Sequence, residues 1–370
     1  MTDQDLQQLR SEKWRLDGKP IRTIEEARAF VEAVGFCLMY PVRPSMPVPT
    51  FIGAFVGSDN RLPTWQHAYS DPRASQAMEL MVRLLRERSA YEANIFEENN
   101  PFLVAASAFP FFYALVGERN PKLAPKQGPR SPYSPLACDA FDLIRRKGPI
   151  SKLNLQEALG GSVSLPALDK ALGELLAKLR ITRVDYKEKE GSYWDELNRW
   201  SPEAVREGVN LSVQQALSAL LTKYLDCVVA AEQTELESFF GKFIARSRVK
   251  ESVNALLAAR ELSFVHVNGK SMLQITPEKE AAVAAAKPAF ARPHRAARKA
   301  ARLFAIACTI DSRNDRRPES RPLSTQTHHC YRWPGRRGQE HDRLPAGAQT
   351  GLYKSGERRY VPGAGAASYR

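Results

Sequence analysis

Apolar residues recur at helical spacing in blocks along most of the chain, separated by polar or proline-rich gaps. Over residues 21–38, "IRTIEEARAFVEAVGFCL", Ile24, Ala27, Phe30, Val31 and Val34 fall on one face of a helix. Thr23 and Glu26 stand where a capping box has its reciprocal pair. Pro41, Pro44, Pro47 and Pro49 then break the pattern. Residues 73–96 predict a second helix, with Asp71 and Pro72 as its start signal. Residues 101–117, "PFLVAASAFPFFYALVG", predict a third, strongly apolar and therefore buried. Residues 119–135 are rich in proline and basic side chains and read as a linker.

The next blocks have a rhythm. "SPLACDAFDLIRRKG" predicts a helix that stops near Gly148. "PISKLNLQEALG" gives a strand-like entry and a short helix, and "SVSLPALDKALGELLAKLR" a longer helix. "ITRVDYKEKEGSYWDEL" gives two strands around "KEKEG". The succession returns as a helix over 211–231, a short helix over 234–241 with Thr234 and Glu237 as its capping box, and a longer helix over 245–261. A hairpin over 262–275 follows, with Asn268-Gly269 at its turn. This order of elements describes a winged helix. The expected fold class is mainly α with small β wings. Tandem winged-helix units are expected at 136–205 and 206–276. Residues 1–118 form a helical domain, a candidate third unit without an evident wing. Residues 277–370 lose all periodicity and read as a disordered tail.

Charge changes this picture less than it first suggests. The 370 residues carry a formal net charge of +13, a value that invites a nucleic-acid partner. Residues 281–370 hold 18 Lys and Arg against 6 Asp and Glu, which leaves 36 against 35 for residues 1–280. The body is nearly neutral, so local placement must carry the case for DNA. Arg246, Arg248 and Lys250 open the second unit's long helix, and Lys270 sits at its wing turn. In the first unit Lys170 and Lys178 lie on the long helix, and Lys187 and Lys189 on the wing. These are the positions from which a winged helix reaches bases and phosphates. Double-stranded DNA is the expected partner.

Signals for catalysis and metal binding are sparse. Among the five cysteines no C-x-x-C or C-x-x-H spacing occurs, and Cys37, Cys138 and Cys227 lie in apolar stretches as small core residues. His67 and His266, the two histidines of the body, are far apart in sequence, and His266 reads as an exposed strand residue. The carboxylates of "EENNP" (97–101) and "YKEKEG" (186–191) read as solvated loops. There is no G-x-S-x-G and no dinucleotide glycine fingerprint. No cofactor, metal or nucleotide is expected. No apolar run approaches the roughly 18–20 residues that span a bilayer. The opening residues are polar and mixed in charge, unlike a secretory signal. The expectation is a cytoplasmic protein.

"FVEAVGFCLMYPV" (30–42), followed by the winged-helix pair, resembles the AlkZ-type crosslink-repair DNA glycosylases and, more closely, the AlkZ-related winged-helix proteins. The resemblance spans about residues 20–276 and implies tandem winged helices with a concave DNA-binding face. In the glycosylases the matching segment carries a Gln-x-Gln or Gln-x-Asp motif on a loop, whose polar side chains position water at the glycosidic carbon of an alkylated purine. Aligned through Gly35 and Pro41, those positions are here Leu38 and Tyr40. Leu38 neither donates nor accepts a hydrogen bond, and a phenol is a poor base near neutral pH. The family's C-terminal β-barrel has no counterpart either. The resemblance therefore implies a DNA-binding, repair-related protein without base excision. Its rivals are an active glycosylase using other residues, and a winged-helix transcription regulator or protein-interaction module.

The tail invites a separate reading. In "WPGRRGQEH" (333–341) a shift of one nucleotide forces the codons of Trp333 and Pro334 to glycine. It also turns Gln339-Glu340 into Lys or Arg, and Glu340-His341 into Ser or Asn. With permitted codons the shifted frame spells A-I-D-G-P-A-G-A-G-K-S-T-I-A, a phosphate-binding loop in its strand-to-helix context. It resembles the start of a bacterial cytidylate kinase. Residues from about 324 onward thus read as an out-of-frame translation, against the alternative of an Arg-rich arm that binds nucleic acid. Either way none of the kinase's phosphate-binding residues exists in this polypeptide.

Overall fold

The computed structural model describes residues 1–42, 46–64, 67–68, 70–94 and 102–277, all within one compact unit, Met1–Arg292. The expected disordered tail apart from Pro277, the shifted-frame segment and the "EENNP" carboxylates lie outside the described residues. The fold is mainly helical with small antiparallel sheets.

After α1 (Asp3–Lys13) come α2 (Ile24–Val34), β1 (Phe36–Leu38), α3 (Phe51–Val56), α4 (Pro72–Arg86), β2 (Ala90–Ala93), β3 (Phe102–Ala105) and α5 (Phe109–Val116). Thr23 and Glu26 form the expected capping box, and Asp71 caps α4 with Pro72 at its first position. Three expected helices are shorter than their patterns suggest. The one over 21–38 stops at Gly35 (φ +77°) and gives way to β1. The one over 73–96 stops at Arg86, near Arg88 in the left-handed region (φ +57°), and gives way to β2. The one over 101–117 splits into β3 and α5. All residues of β1, β2 and β3 are buried. A strand covered on both faces shows no alternation and reads like a buried helix.

Then follow α6 (Pro135–Lys147), β4 (Ile150–Ser151), α7 (Lys152–Ala158), α8 (Leu165–Ala177), β5 (Ile181–Lys187) and β6 (Gly191–Glu196), with Ser134, Ser151 and Ser164 capping the three helices. Helices α9 (Leu197–Trp200) and α10 (Pro202–Asn210) connect to α11 (Val213–Val228), α12 (Gln233–Phe240), α13 (Arg246–Ala258), β7 (Leu262–Val267) and β8 (Lys270–Ile275). The cap of α12 corrects the expected Thr234–Glu237 pair. Glu232 and Glu235 form the box, and Thr234 lies inside the helix. Asn268 (φ +46°) and Gly269 (φ +81°) both take the left-handed conformation that a tight Asn-Gly hairpin turn requires.

One order therefore occurs three times: helix, strand, helix, helix, strand, strand. The sheet orders β1-β3-β2 and β4-β6-β5 are the same. In the third occurrence a single residue stands in for the first strand, Ala231 exchanging backbone hydrogen bonds with Leu273 at 3.0 and 2.8 Å. Within residues 1–118, β2 and β3 hold the places in the sheet that β5 and β6 hold in the second occurrence.

The core is divided unevenly. Phe141, Leu168, Leu172, Leu175 and Trp194 belong to a cluster confined to the middle stretch. A larger cluster joins residues of 1–118 to those of 206–276. At its centre the Phe36 ring stacks on Tyr224 and Phe239 and meets Phe112 edge-on. Burying each such ring contributes about 1.5–3 kcal/mol. The middle stretch is tied to the first by an ion pair of Arg183 on β5 with Glu92 on β2 at 2.5 Å. Both side chains are less than a tenth exposed.

Candidate nucleic-acid interface

Helix α13 buries Val249, Val253 and Leu256. Arg246 and Lys250, one turn apart, lie to one side of that stripe and Arg248 to the other. All three are exposed, and none has an ion pair among the described residues. Lys270, at the start of β8, is also exposed, but its ammonium lies 3.2 Å from the Glu232 carboxylate.

The middle unit is arranged differently. Lys170 is exposed on the side of α8 opposite buried Leu168, Leu172 and Leu175, and Lys178 is exposed at the helix end. Asp169 and Glu174 share that helix, so α8 has no excess of positive charge. Asp169 pairs with Lys152 at 2.5 Å, and Glu174 accepts from the Ser134 amide at 2.7 Å. On the hairpin, Lys187 donates to the Tyr193 hydroxyl at 3.1 Å and lies 4.7 Å over its ring, with Glu190 at 3.8 Å. The bond to Tyr193 holds the Lys187 ammonium above the ordinary lysine range. Lys189 is exposed at the same turn. The eight cations thus fall into two groups: Arg246, Arg248, Lys250 and Lys270 in the last unit, and Lys170, Lys178, Lys187 and Lys189 in the middle one.

A third set escaped the sequence reading. By its place in the repeated order α4 is the counterpart of α8 and α13. Its Arg73, Arg83 and Arg86 are exposed, but each is paired: with Asp71 at 2.7 Å, Glu87 at 2.9 Å and Asp185 at 2.5 Å. The run "RLLRER" (83–88) is the signal available, hidden because the strands after it have the pattern of a helix.

Leu38 and Tyr40 are each 1% exposed. Leu38 pairs with Phe102 across the sheet, and its amide donates to the Pro49 carbonyl at 3.0 Å. These positions are packed into the core rather than carried on an open loop. Met39 between them lies 3.8 Å from an Nη atom of Arg183, whose carboxylate partner Glu92 the sequence reading also missed. His67 meets the Thr64 hydroxyl at 2.9 Å, and His266 is exposed on β7. Cys37, Cys138 and Cys227 are buried, and burial pushes the Cys227 thiol up to about 12. Among the described residues no cluster of His, Cys, Asp or Glu is arranged to hold a metal, and no helix is long and apolar enough to cross a membrane.

A mainly helical protein with small antiparallel sheets and exposed cations in all three occurrences of the repeated order, unpaired among the described residues at the start of α13 and paired on α4, is the class that fold and site define. Residues 73–305 match the family model "DNA glycosylase AlkZ-like", more than half of the chain, and the chain belongs to that family. The matched span begins after the 30–42 segment, so Leu38 and Tyr40 stand outside it. Among solved structures the chain is similar to the Streptomyces sahachiroi DNA glycosylase AlkZ. The identity is 12% and the TM-score 0.48, over 76% of this chain and 71% of that one. A search of curated proteins finds no match.

Proposed function

We propose that this AlkZ-like protein is a cytoplasmic binder of double-stranded DNA built from tandem winged helices, and that it acts without the family's base excision and without a metal or nucleotide cofactor. The observation that carries the reading is the start of α13, where Arg246, Arg248 and Lys250 are exposed and without ion pairs among the described residues. The arginines of α4 are each held by a carboxylate. The thrice-repeated element order fits winged helices, whose long helix enters the major groove while the hairpin reaches the backbone. Cations at the start of α13 would neutralise phosphates and release counterions, which makes affinity fall steeply with salt. The burial of Leu38 and Tyr40 supports the absence of base excision, because neither side chain reaches a water-filled groove.

Fluorescence anisotropy with a short labelled duplex tests the reading. Replacing Arg246, Arg248, Lys250 and Lys270 together by Ala is expected to weaken binding at least about tenfold. It should also lower the slope of log K against log salt by roughly 3. Unchanged affinity and slope would place the contact elsewhere. On alkylated or crosslinked duplex the protein is expected to leave no abasic sites. Base release that persists through purification and vanishes on mutating this chain would make it an enzyme.

A further inference from the structure

Helix α1 stands outside the repeated order. Its apolar anchor is Leu6, packed with Ala230, Val267 and Met272. Otherwise it grips the last unit through polar side chains. Arg10 is 9% exposed and donates to the carbonyls of Val228 at 2.8 Å and Ala230 at 2.7 Å. Lys13 reaches the Asp226 carbonyl at 2.5 Å and its carboxylate at 3.0 Å, and the Trp14 indole donates to the Cys227 carbonyl at 3.0 Å. A helix end leaves its last carbonyls without partners, and α1 supplies them for α11. At the other end of α1 the Asp3 carboxylate accepts from the side-chain amide of Asn268, at the turn between β7 and β8. Next to it Lys270 faces Glu232. Both side-chain donors of this turn are therefore held by carboxylates of the chain itself.

A carboxylate and a phosphodiester are both anions that only accept hydrogen bonds, so they compete for one amide donor. Two like charges a few ångströms apart also repel, by about 1 kcal/mol at 4 Å in water. We propose that α1 is an autoinhibitory strap: Asp3 occupies, within the same chain, the Asn268 donor that a DNA phosphate would take, and DNA must displace it to seat the hairpin. The inference rests on the DNA-binding reading. The firm grip of α1 lies at Leu6, Arg10 and Trp14, whereas Asp3 and Asn268 are both exposed, so this contact is the one that a phosphate can reach.

The test compares Asp3→Ala with Glu12→Ala in the full chain, by anisotropy with a duplex of about 25 base pairs at about 0.05 M salt. Both variants remove one negative charge from α1, but Glu12 has no contact with the hairpin turn. Asp3→Ala is expected to bind at least about threefold tighter than the parent, and Glu12→Ala to change affinity by less than about 1.5-fold. In the parent, DNA is expected to speed amide hydrogen exchange in α1 while slowing it in α13. Equal effects of the two substitutions, or exchange in α1 that slows or stays constant with DNA, would overturn the strap and leave DNA binding standing. If neither the parent nor either variant binds DNA, the DNA-binding reading falls, and the strap with it.

Discussion

The middle unit and the last unit share an order of elements and differ in almost everything else. Residues 135–196 fold around a core of their own, carry a full three-stranded sheet, and balance the charge of their long helix with Asp169 and Glu174. Residues 213–275 have a two-stranded hairpin completed by one bridging residue, share their core with residues 1–118, and open their long helix with three cations lacking ion pairs among the described residues. The same succession of helices and strands therefore serves two physical ends. One copy packs most of its apolar side chains into a cluster of its own. The other shares its core with residues 1–118 and leaves the start of α13 exposed. Helical patterning reports the succession; the placement of carboxylates decides which copy offers charge.

The sharpest way to break this contrast is to empty one core at a time. Phe141→Ala and Phe36→Ala should each cost about 3–5 kcal/mol. Phe141→Ala should lower hydrogen-exchange protection in α6 and α8 while α11 keeps its own. Phe36→Ala should lower protection in α2 and α11 together. If both variants lose protection uniformly, the middle unit is not self-supporting. Next comes the link between units. Glu92→Ala leaves Arg183 buried without its partner and should destabilise by roughly 3–5 kcal/mol, seen as a lower urea midpoint. Replacing both partners with apolar residues of similar volume should recover most of the loss. The smallest effect concerns charge. Lys170→Ala with Lys178→Ala should weaken duplex binding by less than about threefold, since α8 offers no excess positive charge. A loss as large as that of the α13 variant would make the two units equals.

Much of this was legible in the chain. Serines at the starts of α6 and α11, the Asn268-Gly269 turn and the three-to-four spacing of Leu168, Leu172 and Leu175 each encode local structure within a few residues. What stayed hidden depends on distant partners. Phe102 to Ala105 reads as helix because all four residues of β3 are buried and show no alternation. Thr234 and Glu237 have the spacing of a capping box, and so do Glu232 and Glu235; spacing alone does not choose between them, and the second pair forms the box. The cations of α13 could be read directly. The pairing that neutralises Arg86 could not, since Asp185 lies 99 residues away.

Gly35 stops α2, and its neighbourhood reaches further. A methyl group at this position would meet the aliphatic stem of Lys223 on α11 at 2.5 and 2.7 Å, on a backbone already at φ +77°. A side chain here would have to push the Lys223 stem aside as well as hold a left-handed backbone. In this chain the end of a helix and the close approach of another thus fall on one residue.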